Sequence, residues 1–181
     1  AEARELSNIT ISPTAPSANP GAILPFTGTG FFDDLTSHNL RPATLALGDD
    51  HSCVMTAVGK VLCWGQNSSS QLGNTQSTGI AAIPEEVNGI TTAAALAAGS
   101  QHTCAVLASG AVRCWGDNSF GQLGDGTGNP TTIPVTVTGI STARAVATGT
   151  GHSCVVLANA TVKCWGANAS GQLGDGTTTP S

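Results

Sequence analysis

One motif occurs three times along this chain of 181 residues. Each copy contains His-Ser/Thr-Cys, then a second cysteine ten residues after the first as part of Cys-Trp-Gly, and then Gln-Leu-Gly. The first cysteines are Cys53, Cys104 and Cys154, so the period is 51 and then 50 residues. A fixed period of this length is typical of solenoid or propeller units, which bury their apolar faces only against a neighbouring unit. Because an active site needs each acid, base or nucleophile only once, we interpret the repeated residues as scaffold.

The repeats predict an all-β chain. Each copy has an apolar strand, the His-x-Cys strand, a tight turn and the Val-x-Cys-Trp strand, and none shows helical periodicity. Outer strands are predicted at Ile83–Val87 and Ile133–Val137, with a proline at their starts, where a missing N–H is tolerated. The predicted architecture is three antiparallel, propeller-blade-like repeats, with bounds at about 44–93, 94–142 and 143–181. Since closed propellers have roughly 4–8 blades, we expect an open or incomplete propeller.

All six cysteines lie within the repeats. They form three pairs with a spacing of ten residues, namely Cys53 and Cys63, Cys104 and Cys114, and Cys154 and Cys164. On a hairpin the members of each pair lie opposite one another, at a Cα separation of about 4.5–5.5 Å that a disulfide can span. Zinc binding is the alternative, because His102 and Cys104 share one face of a strand. The evenly spaced pairs favour disulfides and an oxidising compartment.

The predicted hairpin loop is three residues long. In the second copy it covers residues 108–110, with Gly110 at the last position, where such a loop adopts a left-handed conformation. The third copy has no glycine in its loop, residues 158–160, so we expect it to turn through Asn159, which tolerates positive φ.

Residues 1–43 contain five of the nine prolines and neither cysteine nor tryptophan. Ile9 and Ile11 alternate with polar residues, which predicts a half-buried strand within an extended N-terminal β segment. A second extended segment is expected at Ile23–Thr27, before two glycines break the pattern. Because an unpaired edge strand invites pairing with another chain, we expect Ile9 and Ile11 to belong to an assembly strand that packs against another copy.

Composition excludes several classes of function. Charged residues make up 9% of the chain, the net charge is −5, and six Lys and Arg leave no basic stripe for nucleic acid. No apolar run reaches the ~18–20 residues of a membrane span. The chain starts at Ala1 without an apolar signal core, so we expect any leader to have been removed. Low charge and paired cysteines indicate a secreted or cell-surface protein.

Neither a catalytic residue nor a cofactor, metal or small-molecule site is expected. Asp117 and Asp125 belong to a sequence that faintly resembles a calcium loop, but the bidentate glutamate is missing. No nucleophile-elbow sequence accompanies the serines and histidines. Two repeated residue types are therefore assigned to the packing of the blades, tryptophan as the packing residue and histidine as a buried hydrogen-bonding residue. They are Trp64, Trp115 and Trp165, and His51, His102 and His152.

The string Gly-x-x-His-x-Cys … Gly-x-Val-x-Cys-Trp-Gly-x-Asn-x-x-Gly-Gln-Leu-Gly-Asp-Gly-Thr resembles the repeat of the regulator-of-chromosome-condensation propeller family over about residues 44–181. The first copy departs from it at Ser70 and Asn74. The resemblance implies blades of a propeller that normally closes with seven, and the paired cysteines resemble those of exported bacterial members. Residues 8–34 resemble the first half of a bacterial immunoglobulin-like domain.

Together these features predict a non-enzymatic, extracellular β-repeat protein for protein–protein interaction. The expected partners are other copies of the same chain, assembled into a surface structure or filament by strand donation. The last copy stops before its outer strand, which motivates this prediction. The alternative is a fragment of a seven-bladed propeller that binds or inhibits a target protein, as some bacterial propellers of this family do.

Overall fold

The computed structural model describes residues 6–13, 26–32, 37–38, 44–75 and 79–181. The chain divides into two compact units, Ala1–Ala43 and Thr44–Ser181. The strands are β1 Leu6–Pro13, β2 Phe26–Phe32, β3 Ser37–His38, β4 Thr44–Leu47, β5 His51–Met55, β6 Val61–Gln66, β7 Ile80–Glu86, β8 Ala93–Ala98, β9 His102–Leu107, β10 Val112–Gly116, β11 Thr131–Thr136, β12 Ala143–Thr148, β13 His152–Leu157 and β14 Val162–Gly166. Strands are the regular structure of the described residues, which confirms the all-β prediction.

In the first unit, β1, β2 and β3 form an antiparallel sheet in that order. The predicted second segment ends too early, because β2 continues from Phe26 through Gly28 and Gly30, which were expected to end it. These glycines pair with Ile11 and Ile9 of β1. Gly30 also pairs with His38 of β3, and this pairing keeps the glycine backbone extended despite its weak strand preference. Residues 23–25 of the predicted segment lie outside the described residues.

The second unit contains three consecutive antiparallel sheets, which we call blades 1, 2 and 3. Blade 1 has the order β4-β5-β6-β7, blade 2 has β8-β9-β10-β11, and blade 3 has β12-β13-β14. The blades follow one another as an open array, as expected. Ser181 exchanges two backbone hydrogen bonds with Gly166 of β14, at N···O distances of 2.6 and 3.2 Å. It takes the place that Thr131 of β11 has opposite Gly116 in blade 2.

The outer strands β7 and β11 contain their prolines in the middle rather than at the start, which corrects the prediction. Both strands begin earlier than expected, and the pairing register shifts between Cys63 and Gly65 in blade 1. The same shift occurs in blade 2. The shift leaves residues 82–84 opposite Trp64, so Pro84 lies in a bulge of an outermost strand. A bulge on an edge strand tolerates a residue without an N–H.

The hairpin registers agree with the prediction, but the third turn does not. Cys104 pairs with Cys114 across the β9–β10 hairpin, and Gly110 has φ of 84°. In blade 3 the left-handed residue is Ala160, with φ of 64°, and not Asn159. The hairpin geometry imposes this conformation on the last loop residue whatever its identity. The Asn159 carboxamide oxygen accepts hydrogen bonds from the Thr161 amide and hydroxyl instead.

Candidate functional site

The buried apolar side chains form two clusters, and each cluster joins two blades. We call the contact of blades 1 and 2 joint 1, and that of blades 2 and 3 joint 2. In joint 1, Val61 and Leu72 of blade 1 belong to the same cluster as Ala105 and Trp115 of blade 2. In joint 2, the equivalent cluster combines residues of blades 2 and 3, among them Trp165. The repeats therefore build their cores between blades.

Each tryptophan of these joints packs on the preceding blade. The indole N–H of Trp115 donates to the backbone carbonyl of Gln71 at 2.9 Å, and that of Trp165 donates to the carbonyl of Gln122 at 2.8 Å. Gly73 lies under the Trp115 ring, where an added Cβ would come within 2.6 Å of the indole nitrogen. The Gln-Leu-Gly loop of one blade is thus the receptor for the tryptophan of the next.

A histidine of the preceding blade completes each joint. His51 Nε2 lies 2.8 Å from the Thr103 hydroxyl, which donates to the Gln71 carbonyl at 3.1 Å. His102 and Ser153 repeat the arrangement in joint 2, at 3.0 Å between Nε2 and the hydroxyl oxygen. Because the hydroxyl hydrogen goes to the carbonyl, Nε2 must carry a hydrogen and donate it. A chain of hydrogen bonds therefore links histidine, hydroxyl, carbonyl and indole across each joint.

Burial keeps these two histidines neutral. Desolvation lowers the pKa of His51 to about 4, although the nearby Asp49 and Asp50 raise it. Desolvation likewise lowers the pKa of His102 to about 4, although the negative charge of Asp117 raises it. A second proton would have to be added at Nδ1, which in both residues is buried without a partner among the described residues.

The cysteines are joined in the expected pairs, at a Cα separation of 4.1 Å in each hairpin. The first two disulfides are fully buried in the joints, where the following blade covers them. The third, Cys154–Cys164, is half-buried. In the part of the chain that the structure describes, no three His, Cys, Asp or Glu side chains form a group that could hold a metal.

A buried asparagine holds each Gln-Leu-Gly loop. In blade 2, Asn118 accepts a hydrogen bond from the Leu123 amide at 2.9 Å and donates to Asp125 and the Thr127 carbonyl. Partial burial disfavours the ionised Asp125, but hydrogen bonds from Thr127 outweigh it, so the pKa of Asp125 lies below its usual value. The residues that faintly resembled a calcium loop are thus hydrogen-bonded to one another.

The remaining predicted residues lie outside the joints. Trp64 of blade 1 and His152 of blade 3 are half-buried, because each belongs to a blade face that no other blade of the described chain covers. Ile9 and Ile11 are in β1 of the first unit, and their side chains lie outside the described residues. The structure therefore combines two of the three copies of each motif into joints.

A groove of about 460 Å³ lies beside blade 3, next to the outer edge of β14. Val137, Ile140 and Trp165 contribute to its walls, and Ser181 lies at its border. Only Gly166 of β14 makes backbone bonds on this side in the described residues, through Ser181. The groove thus adjoins the strand edge at which blades 1 and 2 have their outer strands, β7 and β11. No helix of the described residues has the length and apolar character needed to cross a bilayer.

Sequence reasoning missed the residues that contact the repeated histidines and tryptophans. Thr103 and Ser153 stand between histidine and cysteine and were not assigned a role, although this position is Ser or Thr in all three copies. Gly73 and Gly124, under the tryptophans, were likewise overlooked. Their signal is that the same small residue recurs at one repeat position.

Comparison with protein families matches most of the second unit to the description "Regulator of chromosome condensation (RCC1) repeat". The matched ranges are residues 43–71, 93–122 and 143–172 for one form of the repeat, and 58–106 and 109–156 for a second.

Among curated proteins, the chain is 34% identical over 91 residues to the ultraviolet-B receptor UVR8 of Arabidopsis thaliana, covering 49% of this chain and 20% of the receptor. It is 37% identical over 78 residues to the protein RCC2 homolog of Danio rerio, covering 42% of this chain and 16% of that protein. The chain thus spans a fifth or less of the length of these relatives.

Among solved structures, Prp20p of Saccharomyces cerevisiae is similar with a TM-score of 0.71 and 17% identity, over 86% of this chain and 46% of Prp20p. Human WBSCR16 is similar with a TM-score of 0.66 and 22% identity, over 81% of this chain and 40% of that chain. At these identities the likeness concerns the fold.

Proposed function

Because the chain belongs to the regulator of chromosome condensation (RCC1) repeat family, we propose that it is a module for protein–protein interaction whose partner is a second copy of itself. The repeated residues form the contacts between blades, as the hydrogen bonds of Trp115 and His51 illustrate. Propeller-type repeats of this kind present surfaces to other proteins. The solved structure of Prp20p, for example, is described together with its binding to Gsp1p and histones.

The observation that carries the proposal is the open outer edge of β14 and the groove beside it. A free strand edge with an adjoining apolar groove is the receptor geometry of strand addition, in which main-chain hydrogen bonds give affinity. We assign the donated strand to β1, with Ile9 and Ile11, from another copy. The occupied edge would complete blade 3.

The proposed setting is extracellular. Three disulfide-bonded hairpins persist in an oxidising compartment and would be reduced in a cytosol. The scarcity of charged residues, 9% of the chain, fits a surface structure that is exported rather than one that binds nucleic acid.

Sedimentation equilibrium on the oxidised chain and on a variant lacking residues 1–20 tests this function. We expect the intact chain to form complexes of two or more copies, and the truncated chain to keep its three disulfides but to sediment as a monomer. An intact chain that stays monomeric at high concentration contradicts self-assembly, and a truncated chain that assembles normally contradicts donation of β1.

A second candidate function is supported by the coverage of the solved propellers. The chain aligns with 46% of Prp20p and 40% of WBSCR16. Such coverage favours the interpretation that the three blades are part of a larger ring. That ring would bind or inhibit a different target protein. Mass spectrometry of the protein from its source distinguishes this candidate, because a chain that continues through further repeats supports the larger ring.

A further inference from the structure

Two faces of the second unit remain open, one at each end of the array of blades. The head face is the side of blade 1 that points away from blade 2, with Leu45, Leu47, Ser52, Val54 and Trp64. The tail face is the side of blade 3 that points away from blade 2, with His152, Val156, Val162, Gln172, Leu173 and the Cys154–Cys164 disulfide. Both faces are exposed or half-buried in the described structure.

The head face repeats the surface that blade 2 buries in joint 1. Leu45 pairs with Val54 in blade 1 just as Leu96 pairs with Ala105 in blade 2. Leu96 is 6% exposed because blade 1 covers it, whereas Leu45 is 57% exposed. The head face is therefore an apolar, joint-forming surface without its partner.

The tail face likewise repeats the surface that blade 2 buries in joint 2. Val156 pairs with Val162 in the β13–β14 hairpin as Val106 pairs with Val112 in blade 2. Val112 is 0% exposed beneath blade 3, whereas Val162 is 61% exposed. Exposed apolar area of this kind is what a joint removes from water.

The polar groups of the two faces are also complementary. In joints 1 and 2 a histidine and a glutamine carbonyl on one blade bind a hydroxyl and an indole N–H on the next. The tail face has the first half of this set, His152 and Gln172, and the head face has the second half, Ser52 and Trp64. Gly174 is equivalent to Gly73 and Gly124, which lie under the indoles of the two joints. It leaves room for a third indole, because no heavy atom lies within 4 Å of a Cβ built at this residue.

We propose that the head face of one copy docks on the tail face of a second copy and forms a third joint of the same kind. The inference rests on the proposed self-assembly and adds a second pair of contacting surfaces to the donated strand, and we expect assembly to need both contacts. A second copy is the occupant because both halves of the joint are present on one chain and the joint is seen twice inside it. Such a contact is heterologous, so it generates a ring if it closes and a filament if it does not.

Two charge-neutral double variants test the proposal. The head variant L45E/L47K and the tail variant V156E/V162K place charges on one face each while the joints inside the chain stay intact. The control I83E/I133K makes the same exchange at exposed isoleucines of the outer strands β7 and β11. Far-ultraviolet circular dichroism and free-thiol labelling check that every variant folds with three disulfides.

We expect each face variant alone to raise the apparent dissociation constant by roughly 100-fold or more, since a joint must then bury unpaired charge. The control should assemble as the unaltered chain does. An equimolar mixture of the two face variants should form a 1:1 complex only, because the pair retains one intact head and one intact tail.

Assembly that persists in both face variants overturns this inference and leaves the proposed self-assembly standing, through another surface such as the donated strand. A mixture that forms no complex overturns it as well. An unaltered chain that remains monomeric overturns both the inference and the proposed function.

Discussion

Blades 2 and 3 carry the same repeat residues in the same register, and yet their side chains have different surroundings. Val106 and Val112 of blade 2 are buried, whereas Val156 and Val162 at the equivalent positions of blade 3 are exposed. The exposure differs because blade 3 covers these residues of blade 2, whereas nothing in the described chain covers the far side of blade 3. In a repeat protein of this type, burial is a property of the junction between units rather than of one unit.

The largest expected effect compares the same substitution at a covered and an open position. W115A removes an indole that is fully buried in joint 1 and bonded to the Gln71 carbonyl, and should lower the free energy of unfolding by about 3–5 kcal/mol. W64A removes the half-buried counterpart on the head face and should cost the monomer much less. Urea denaturation of dilute samples measures both values. Equal losses would mean that the joints do not carry the stability.

Acidification should weaken the covered joints. The folded-state pKa of His51 and of His102 is about 4, below the value of 6.5 for a solvated histidine, so the unfolded chain binds more protons between pH 6.5 and 4. The stability is therefore fully present above pH 6.5 and is lost as the pH falls towards 4, by up to about 3 kcal/mol for each histidine.

Urea denaturation at a series of pH values measures this slope. The control is H102Q, whose amide can donate a hydrogen bond but does not titrate in this range. It should reduce the slope by about half, and an unchanged slope would exclude His102 as a source of the pH dependence.

The hydroxyl that bonds the histidine in each joint allows a closely matched comparison with a smaller expected loss of stability. S153A leaves the buried His102 Nε2–H without its acceptor and should cost about 1–3 kcal/mol of folding stability. S52A changes the equivalent hydroxyl on the head face, which has no preceding blade in this chain, and should be nearly neutral for the monomer. Thermal unfolding of the two variants under identical conditions gives the difference, and a reversed order would refute the link.

Sequence patterns predicted the parts of this fold that are local to one repeat. The ten-residue spacing gave the hairpin register, as the pairing of Cys104 with Cys114 illustrates. The patterns failed where tertiary pairing decides the outcome. Gly28 and Gly30 lie within β2 because β1 pairs with both of them and β3 pairs with Gly30, and Pro84 lies within β7 because a bulge accommodates it.

The candidate site was only half predicted for a related reason. The periodicity identified His51 and Trp115 as packing residues, but period alone does not reveal on which blade a side chain packs. Trp115 crosses to the Gln71 carbonyl of the preceding blade, and a backbone carbonyl leaves no trace in the sequence. Only the recurrence of small residues at equivalent positions, such as Ser or Thr at position 103 and glycine at position 73, hinted at a partner.

The smallest expected effect concerns the hairpin turns. Ala160 has positive φ, a conformation that costs alanine more than glycine, so A160G should stabilise the chain by roughly 0.5–1 kcal/mol. The matched control is G110A in blade 2, where an added Cβ would come within 2.6 Å of the Ser141 carbonyl oxygen and should be destabilising. Calorimetric melting temperatures test both directions, and a loss of stability in A160G would contradict the assigned turn.

The three tryptophan indoles allow the most direct test of the claim that the repeated residues form joints between blades. Hydrogen exchange of the indole N–H groups in ¹⁵N-labelled protein gives one signal for each of the three tryptophans. In dilute, monomeric samples we expect slow exchange at Trp115 and Trp165, which donate to the carbonyls of Gln71 and Gln122, and fast exchange at Trp64. Trp64 should become protected as the concentration rises and the chain assembles. Equal exchange at all three indoles in the monomer would contradict the account.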